Sequence, residues 1–200
     1  YAFATIKEGK IALFDEWAAT GIASQFGEAW DSEYKGALGQ FKKLKQSFPN
    51  TSFMISIGGW TQSGNFHDVA ATPESRAIFV QSVVEFVREW GFDGVDIDWE
   101  YPGVLRAPDK MDNANDQGTP KADLSEKETF TLLLKDLRVA LNIAGVEDER
   151  YYQLSAAVSA GIEKMQLTEP LEYTKYLDFV NLMTYDLHGA WDSKTNHQAA

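Results

Sequence analysis

Short apolar runs alternating with amphipathic, helix-like stretches constrain this chain more than any other feature. Tyr1–Ile6, Phe53–Gly59, Gly94–Glu100, Leu154–Ala160 and Phe179–Asp186 each have the length and apolar bias of a buried strand. Asp31 and Ser32 can cap a helix whose stripe carries Leu38, Phe41, Leu44 and Phe48 and which stops at Pro49-Asn50. Thr72-Pro73-Glu74 starts another, with Phe79, Val83, Phe86, Val87 and Trp90 along one face and Gly91 to close it. Ser125 and Glu128 read as a capping box ahead of Phe130, Leu133, Leu134, Leu137 and Leu141. A shorter helix is expected from Glu169 to Tyr176, begun by Thr168. Strands that alternate with helices pair in parallel, so the expected fold class is α/β.

The strands carry their unusual residues at the carboxyl ends: Ser56-Ile57-Gly58-Gly59-Trp60, then Glu100, then Tyr185-Asp186. In a (β/α)8 TIM barrel that end holds the active site. A doubly wound sheet would instead need a Gly-rich phosphate turn after its first strand, and Gly58-Gly59 is too short to be one. The barrel is the expected architecture. A complete barrel takes about 250 residues, while five strands are legible in these 200. The expectation is an incomplete portion of a barrel, an internal piece of a longer polypeptide, with residues 1–200 as one partial catalytic domain.

Chemistry concentrates in Asp93-Gly94-Val95-Asp96-Ile97-Asp98-Trp99-Glu100. Along a strand, side chains alternate faces, so Asp96, Asp98 and Glu100 point one way at intervals of about 6.5 Å. Val95, Ile97 and Trp99 point the other. Crowding several carboxyls on a half-buried face forces at least one to keep its proton near neutrality, which general acid catalysis requires. A solvated acidic face is a poor alternative, because the flanking run is too apolar for an exposed edge. A calcium or magnesium cage is a second alternative. A calcium loop, however, needs glycine at its sixth position, where this chain has Tyr101-Pro102-Gly103. Acid catalysis is the stronger reading, with no metal.

Composition narrows the partners. A formal charge of −12 opposes binding to nucleic acid or to an anionic membrane and suits a neutral ligand. No run of 18 apolar residues exists to span a bilayer. The absence of cysteine excludes disulfides, thiolate metal sites and a cysteine nucleophile. Aromatic residues reach 13%, more than a core requires, and such rings often stack on sugars. Residues 103–124, without periodicity and rich in Asp, Asn, Gly and Pro, follow Glu100 either as a surface excursion or as a wall of the substrate cleft.

Asp93–Glu100 matches the signature D-G-x-D-x-D-x-E, Ser56–Gly59 matches S-x-G-G, and Met183–Asp186 matches M-x-Y-D. With these three motifs in order, the chain resembles the family 18 glycoside hydrolases, the chitinases of the bacterial secreted type. The resemblance spans nearly the whole chain and implies about strands 2 to 6 of the barrel. It also implies an extracellular location, a monomer when full length, no cofactor, and chitin or chito-oligosaccharide as substrate.

The resemblance further implies hydrolysis of β-1,4-linked N-acetylglucosamine polymers with retention, the substrate's own acetamide acting as nucleophile. Glu100 is then the acid/base, Asp98 the acceptor for the acetamide N–H, and Asp96 the partner that shares a proton with Asp98. Tyr185 donates its hydroxyl to the acetamide oxygen. Asp186, Met183, Trp60, Tyr101, Ser56, Gly59 and Phe3 are substrate-binding candidates, and Trp191 is a further ring able to stack. Ala157 and Ser159 are small enough to leave room for a bound ring in an enclosed pocket. Asp93, on the opposite parity, is expected to order the turn into its strand, and His188 to bond within its loop. Two other readings remain open: a chitinase-like lectin that binds without cutting, and an endo-β-N-acetylglucosaminidase.

Overall fold

The structure, a computed structural model, describes residues 1–23, 28–33 and 35–195. The chain begins with a hairpin of β1 (Ala2–Lys7) and β2 (Lys10–Leu13), paired antiparallel with Ile6 opposite Ile11. Glu8 and Gly9 form its two-residue turn, both at positive φ, the twist that matches a tight hairpin. β2 was not legible in the sequence because Glu8-Gly9 is not one of the strong turn dipeptides. After a helical turn at Trp17–Gly21 come α1 (Gly36–Ser47), β3 (Met54–Gly58), a 3-10 turn (Trp60–Asn65) and α2 (Phe66–Ala70). Next are α3 (Pro73–Trp90), β4 (Gly94–Asp98), an irregular crossing to α4 (Glu126–Glu147), and β5 (Gln153–Ser159). α5 (Ile162–Met165), α6 (Pro170–Tyr173), a 3-10 turn (Thr174–Tyr176) and β6 (Phe179–Met183) complete the described elements.

The strands form one open sheet in the order β2-β1-β3-β4-β5-β6, parallel from β1 to β6. This is the expected α/β architecture, an incomplete portion of a (β/α)8 barrel. Its helical face is the core. Ile55, Ile57, Val95, Ile97, Leu154 and Ala156 are fully buried against Phe79, Val83 and Val87 of α3 and Phe130, Leu133, Leu134, Leu137 and Leu141 of α4. Each of the Ile, Val, Leu and Phe side chains contributes about 1.5–3 kcal/mol of burial. Trp99 joins this core, stacked on Phe66 at 5.0 Å and edge-on to Phe130 at 5.9 Å.

Several expected boundaries move. The strand expected to reach Glu100 ends at Asp98, the one expected to reach Asp186 ends at Met183, and those expected to reach Gly59 and Ala160 end at Gly58 and Ser159. Strand pairing sets these limits, and the ladder runs out before Glu100 and the Tyr185-Asp186 pair. The Glu100–Tyr101 peptide is cis. Asp31 and Ser32 do not cap α1, which starts four residues later with Lys35 in the cap position. Ser125 has helical backbone angles, so it cannot act as a cap, and the expected box with Glu128 is not formed. Asp123 instead accepts from both the N–H and the hydroxyl of Ser125. Glu169, not Thr168, precedes α6; the Thr168 hydroxyl turns back to the Met165 carbonyl. Thr72 and Gly91 do cap α3 as expected, with Ser75 reciprocating to Thr72 and Gly91 left-handed. Among the described residues no helix is long and apolar enough to cross a membrane.

Candidate active site

Parallel register sets the inner face of the sheet in layers. Ser56, Asp96 and Ser155 are in register across β3, β4 and β5, and Gly58, Asp98, Ala157 and Asn181 form the next layer. Asp96 accepts hydrogen bonds from Ser56 Oγ at 2.8 Å, Ser155 Oγ at 2.5 Å and Asn181 Nδ2 at 3.1 Å. Its bonds therefore run sideways to the two neighbouring strands and to β6 beyond β5, and not along β4 to Asp98. Ser155 and Asn181 were missed in the sequence; as small polar residues in otherwise apolar runs, they become visible only once the register is known.

Asp98 is 7% exposed, and its Oδ1 has no hydrogen-bond partner among the described residues. Burial, reinforced by the charges of Glu100 and Asp96, pushes its carboxyl up to about 8. Glu100, half-buried just past the end of β4, is raised as well. Burial is the main cause, opposed by the Tyr101 hydroxyl and the positive charges of Arg106 and Lys164. Asp98, Glu100 and Asp186 raise the Tyr185 hydroxyl after partial burial has done so. Asp98, Glu100, Tyr101, Tyr185 and Asp186 therefore share one electrostatic neighbourhood. Arg106 and Lys164 belong to it too, and neither was picked out in the sequence. Lys164, on α5, lies 4.6 Å from the centre of the Tyr101 ring.

The ends of β3 and β4 are fastened together by glycine and by Ser63. Gly58 has φ 111°, and a Cβ there would come within 2.1 Å of the Asp98 carbonyl oxygen. Only glycine permits that approach, which lets the Gly59 N–H donate to the Asp98 carbonyl at 2.8 Å. The Phe3 ring covers Gly59 so closely that a Cβ would sit 2.9 Å from it. The buried Ser63 hydroxyl bonds the Gly59 and Asp98 carbonyls and receives the Glu100 N–H at 2.8 Å. Ser63 was also missed, being one polar residue in the unremarkable stretch Thr61–Asn65.

The other candidates fall around this centre. Met183 is buried at the end of β6. Trp60 is 39% exposed, with its ring 6.5 Å from that of Tyr101. Tyr185 is 53% exposed and Trp191 69%. His188 pairs with Asp192 inside its own loop. Asp93 faces away from the acids; it binds Lys45 and Arg150 and accepts from the Phe53 N–H at 2.9 Å, the structural part expected of it. Leu182, Tyr185 and Asp186, at and after the end of β6, are exposed. Cavities of about 340 Å³ under α1 and the end of α3, about 320 Å³ between the hairpin and residues 113–118, and about 350 Å³ along residues 188–195 lie around the molecule.

Residues 103–124 form no helix or strand but are well fastened. Asp116, 2% exposed, binds both Nη atoms of Arg106 at 2.5 and 3.0 Å and accepts from the Asp109 and Gly118 N–H groups. Burial alone would raise the Asp116 carboxyl, but these bonds outweigh it and hold it down at about 2. At the far end the buried Glu126 ties His67 to the Gly103 N–H.

Known proteins are similar to this chain in sequence and fold. The family model for glycosyl hydrolases family 18 matches residues 1–200. Chitinase A1 of Niallia circulans is 39% identical over 194 residues, covering 97% of this chain and 26% of that protein. A chitinase of Autographa californica nuclear polyhedrosis virus is 39% identical over 92% of this chain and 32% of its own length. Among solved structures, chitinase ChiA74 from Bacillus thuringiensis superposes with a TM-score of 0.82 at 39% identity, over 94% of this chain and 29% of that one. The chain thus spans about a quarter to a third of the length of these relatives. The match of that model to the whole chain shows that this chain belongs to family 18 of the glycosyl hydrolases.

Proposed function

We propose that the protein containing this chain hydrolyses β-1,4-linked N-acetylglucosamine polymers with retention of configuration, using the substrate's acetamide as nucleophile. The observation that carries this reading is the pair Asp98–Glu100: a buried carboxyl that keeps its proton up to about 8, beside a half-buried one that is also raised. Glu100 gives its proton to the glycosidic oxygen as the bond to the anomeric carbon breaks. The acetamide carbonyl oxygen attacks that carbon and forms a cyclic oxazolinium ion. The N–H donor and the new positive charge both favour ionised Asp98, so its proton passes to Asp96, the next carboxyl along the same face. Tyr185 donates to the acetamide oxygen, and Glu100, now a carboxylate, takes a proton from the water that opens the ring. Trp60, Tyr101 and Phe3 supply stacking faces, while Asp186, Met183, Ser56 and Gly59 shape the place where the sugar sits. No cofactor enters this scheme.

Kinetics of the full-length protein on chito-oligosaccharides test the reading, with Glu100→Gln as the decisive variant. Its turnover should fall at least about a hundredfold while binding is kept. Unchanged turnover removes Glu100 from the chemistry; tight binding by the wild type without any turnover would make the protein a lectin. Faster cleavage of a high-mannose glycopeptide than of chitohexaose would point to an endo-β-N-acetylglucosaminidase, and loss of activity with chelator to a metal site.

A further inference from the structure

We propose that Arg106 is a positioning residue for sugar binding, fastening Trp60 to the 103–124 segment so that one indole face is backed and the other stands as a fixed stacking plate beside Glu100. This rests on the carbohydrate reading above and deepens it by assigning a task to that segment. Trp60 is held at three points. Its carbonyl oxygen accepts from Arg106 Nη2 at 2.8 Å, its ring lies 4.4 Å from the Arg106 guanidinium, and its indole N–H donates to Asp109 Oδ2 at 3.1 Å. Arg106 is itself immobilised: its side chain is 7% exposed and its fork is paired with the buried Asp116. Asp116 also binds the Asp109 N–H, so one buried carboxylate fixes both residues that grip the indole. A free tryptophan at 39% exposure would lose rotamer freedom on meeting a sugar. Here that freedom is already spent in folding, and the planar guanidinium supports the ring where an ammonium could not.

A double-mutant cycle in the full-length protein tests this, read by KM and kcat on chitohexaose and by the Kd for the same sugar from fluorescence titration. Arg106→Ala should raise KM and Kd about five- to tenfold, and Arg106→Lys should not restore them. In a Trp60→Ala background the same substitution should raise Kd no further. A KM unchanged by Arg106→Ala, full rescue by lysine, or an equal penalty without Trp60 overturns the proposal. Should Arg106→Ala fail to fold, Asp109→Ala takes its place, with a rise of about two- to threefold that must also vanish without Trp60. Absence of turnover in the wild type would count against hydrolysis alone, because the Kd cycle reads the Trp60 clamp independently of cleavage.

Discussion

The Glu100 backbone N–H donates to the Ser63 hydroxyl at 2.8 Å, and that hydroxyl also reaches the carbonyls of Gly59 and Asp98. One buried side chain thereby joins the ends of β3 and β4 and sets where Glu100 leaves the sheet. Ser63→Ala strands the Glu100 N–H without a partner, at a cost of about 1–3 kcal/mol. The variant should unfold at lower denaturant and lose turnover more than affinity. Wild-type stability with wild-type kcat would show that the hydroxyl positions nothing.

Asp98 offers a test through pH. Its carboxyl is raised to about 8 in the fold, against about 3.9 when unfolded. The native state therefore holds a proton that the unfolded state releases between those values, and stability attributable to this group falls as pH rises through that window. Asp98→Asn removes the penalty. Its Tm should gain on the wild type progressively from pH 4 to pH 8, by about 2–4 °C for each kcal/mol recovered, while turnover falls. A Tm difference that does not change with pH would mean that Asp98 is not held protonated.

Lys164 lowers the Glu100 carboxyl, which burial otherwise raises. In Lys164→Gln the carboxylate loses a stabilising charge, so the acid form persists to higher pH. The alkaline limb of the kcat/KM profile should move to higher pH, less so at high salt, which screens the charge. A downward move would contradict the geometry.

Asp93 should behave as a structural residue. Asp93→Ala leaves Lys45, Arg150 and the Phe53 N–H without their shared acceptor. A loss of about 1–3 kcal/mol in stability is expected, with kcat of the folded protein within about twofold of wild type. A large kcat loss at unchanged stability would instead place Asp93 in the chemistry.

Much of the layout was legible before any coordinates. The apolar runs gave the positions of β1, β3, β4, β5 and β6, because a strand buried on its helical face must carry Ile, Val or Leu at alternate places. Thr72 and Gly91 marked the ends of α3 for equally local reasons. Ser125 misled, since a capping residue is defined by backbone angles that its neighbours decide.

What the sequence alone determined is the row of acids: alternation along β4 is a property of the backbone, and it sends Asp96 and Asp98 to one face whatever surrounds them. Only the tertiary structure decided how each acid is held. Asp96 is satisfied by Ser155 and Asn181, 59 and 85 residues away, while Asp98 Oδ1 has no such partner. Parallel pairing brings those distant side chains level with Asp96, and desolvation, which no local pattern encodes, gives the neighbouring carboxyl its proton.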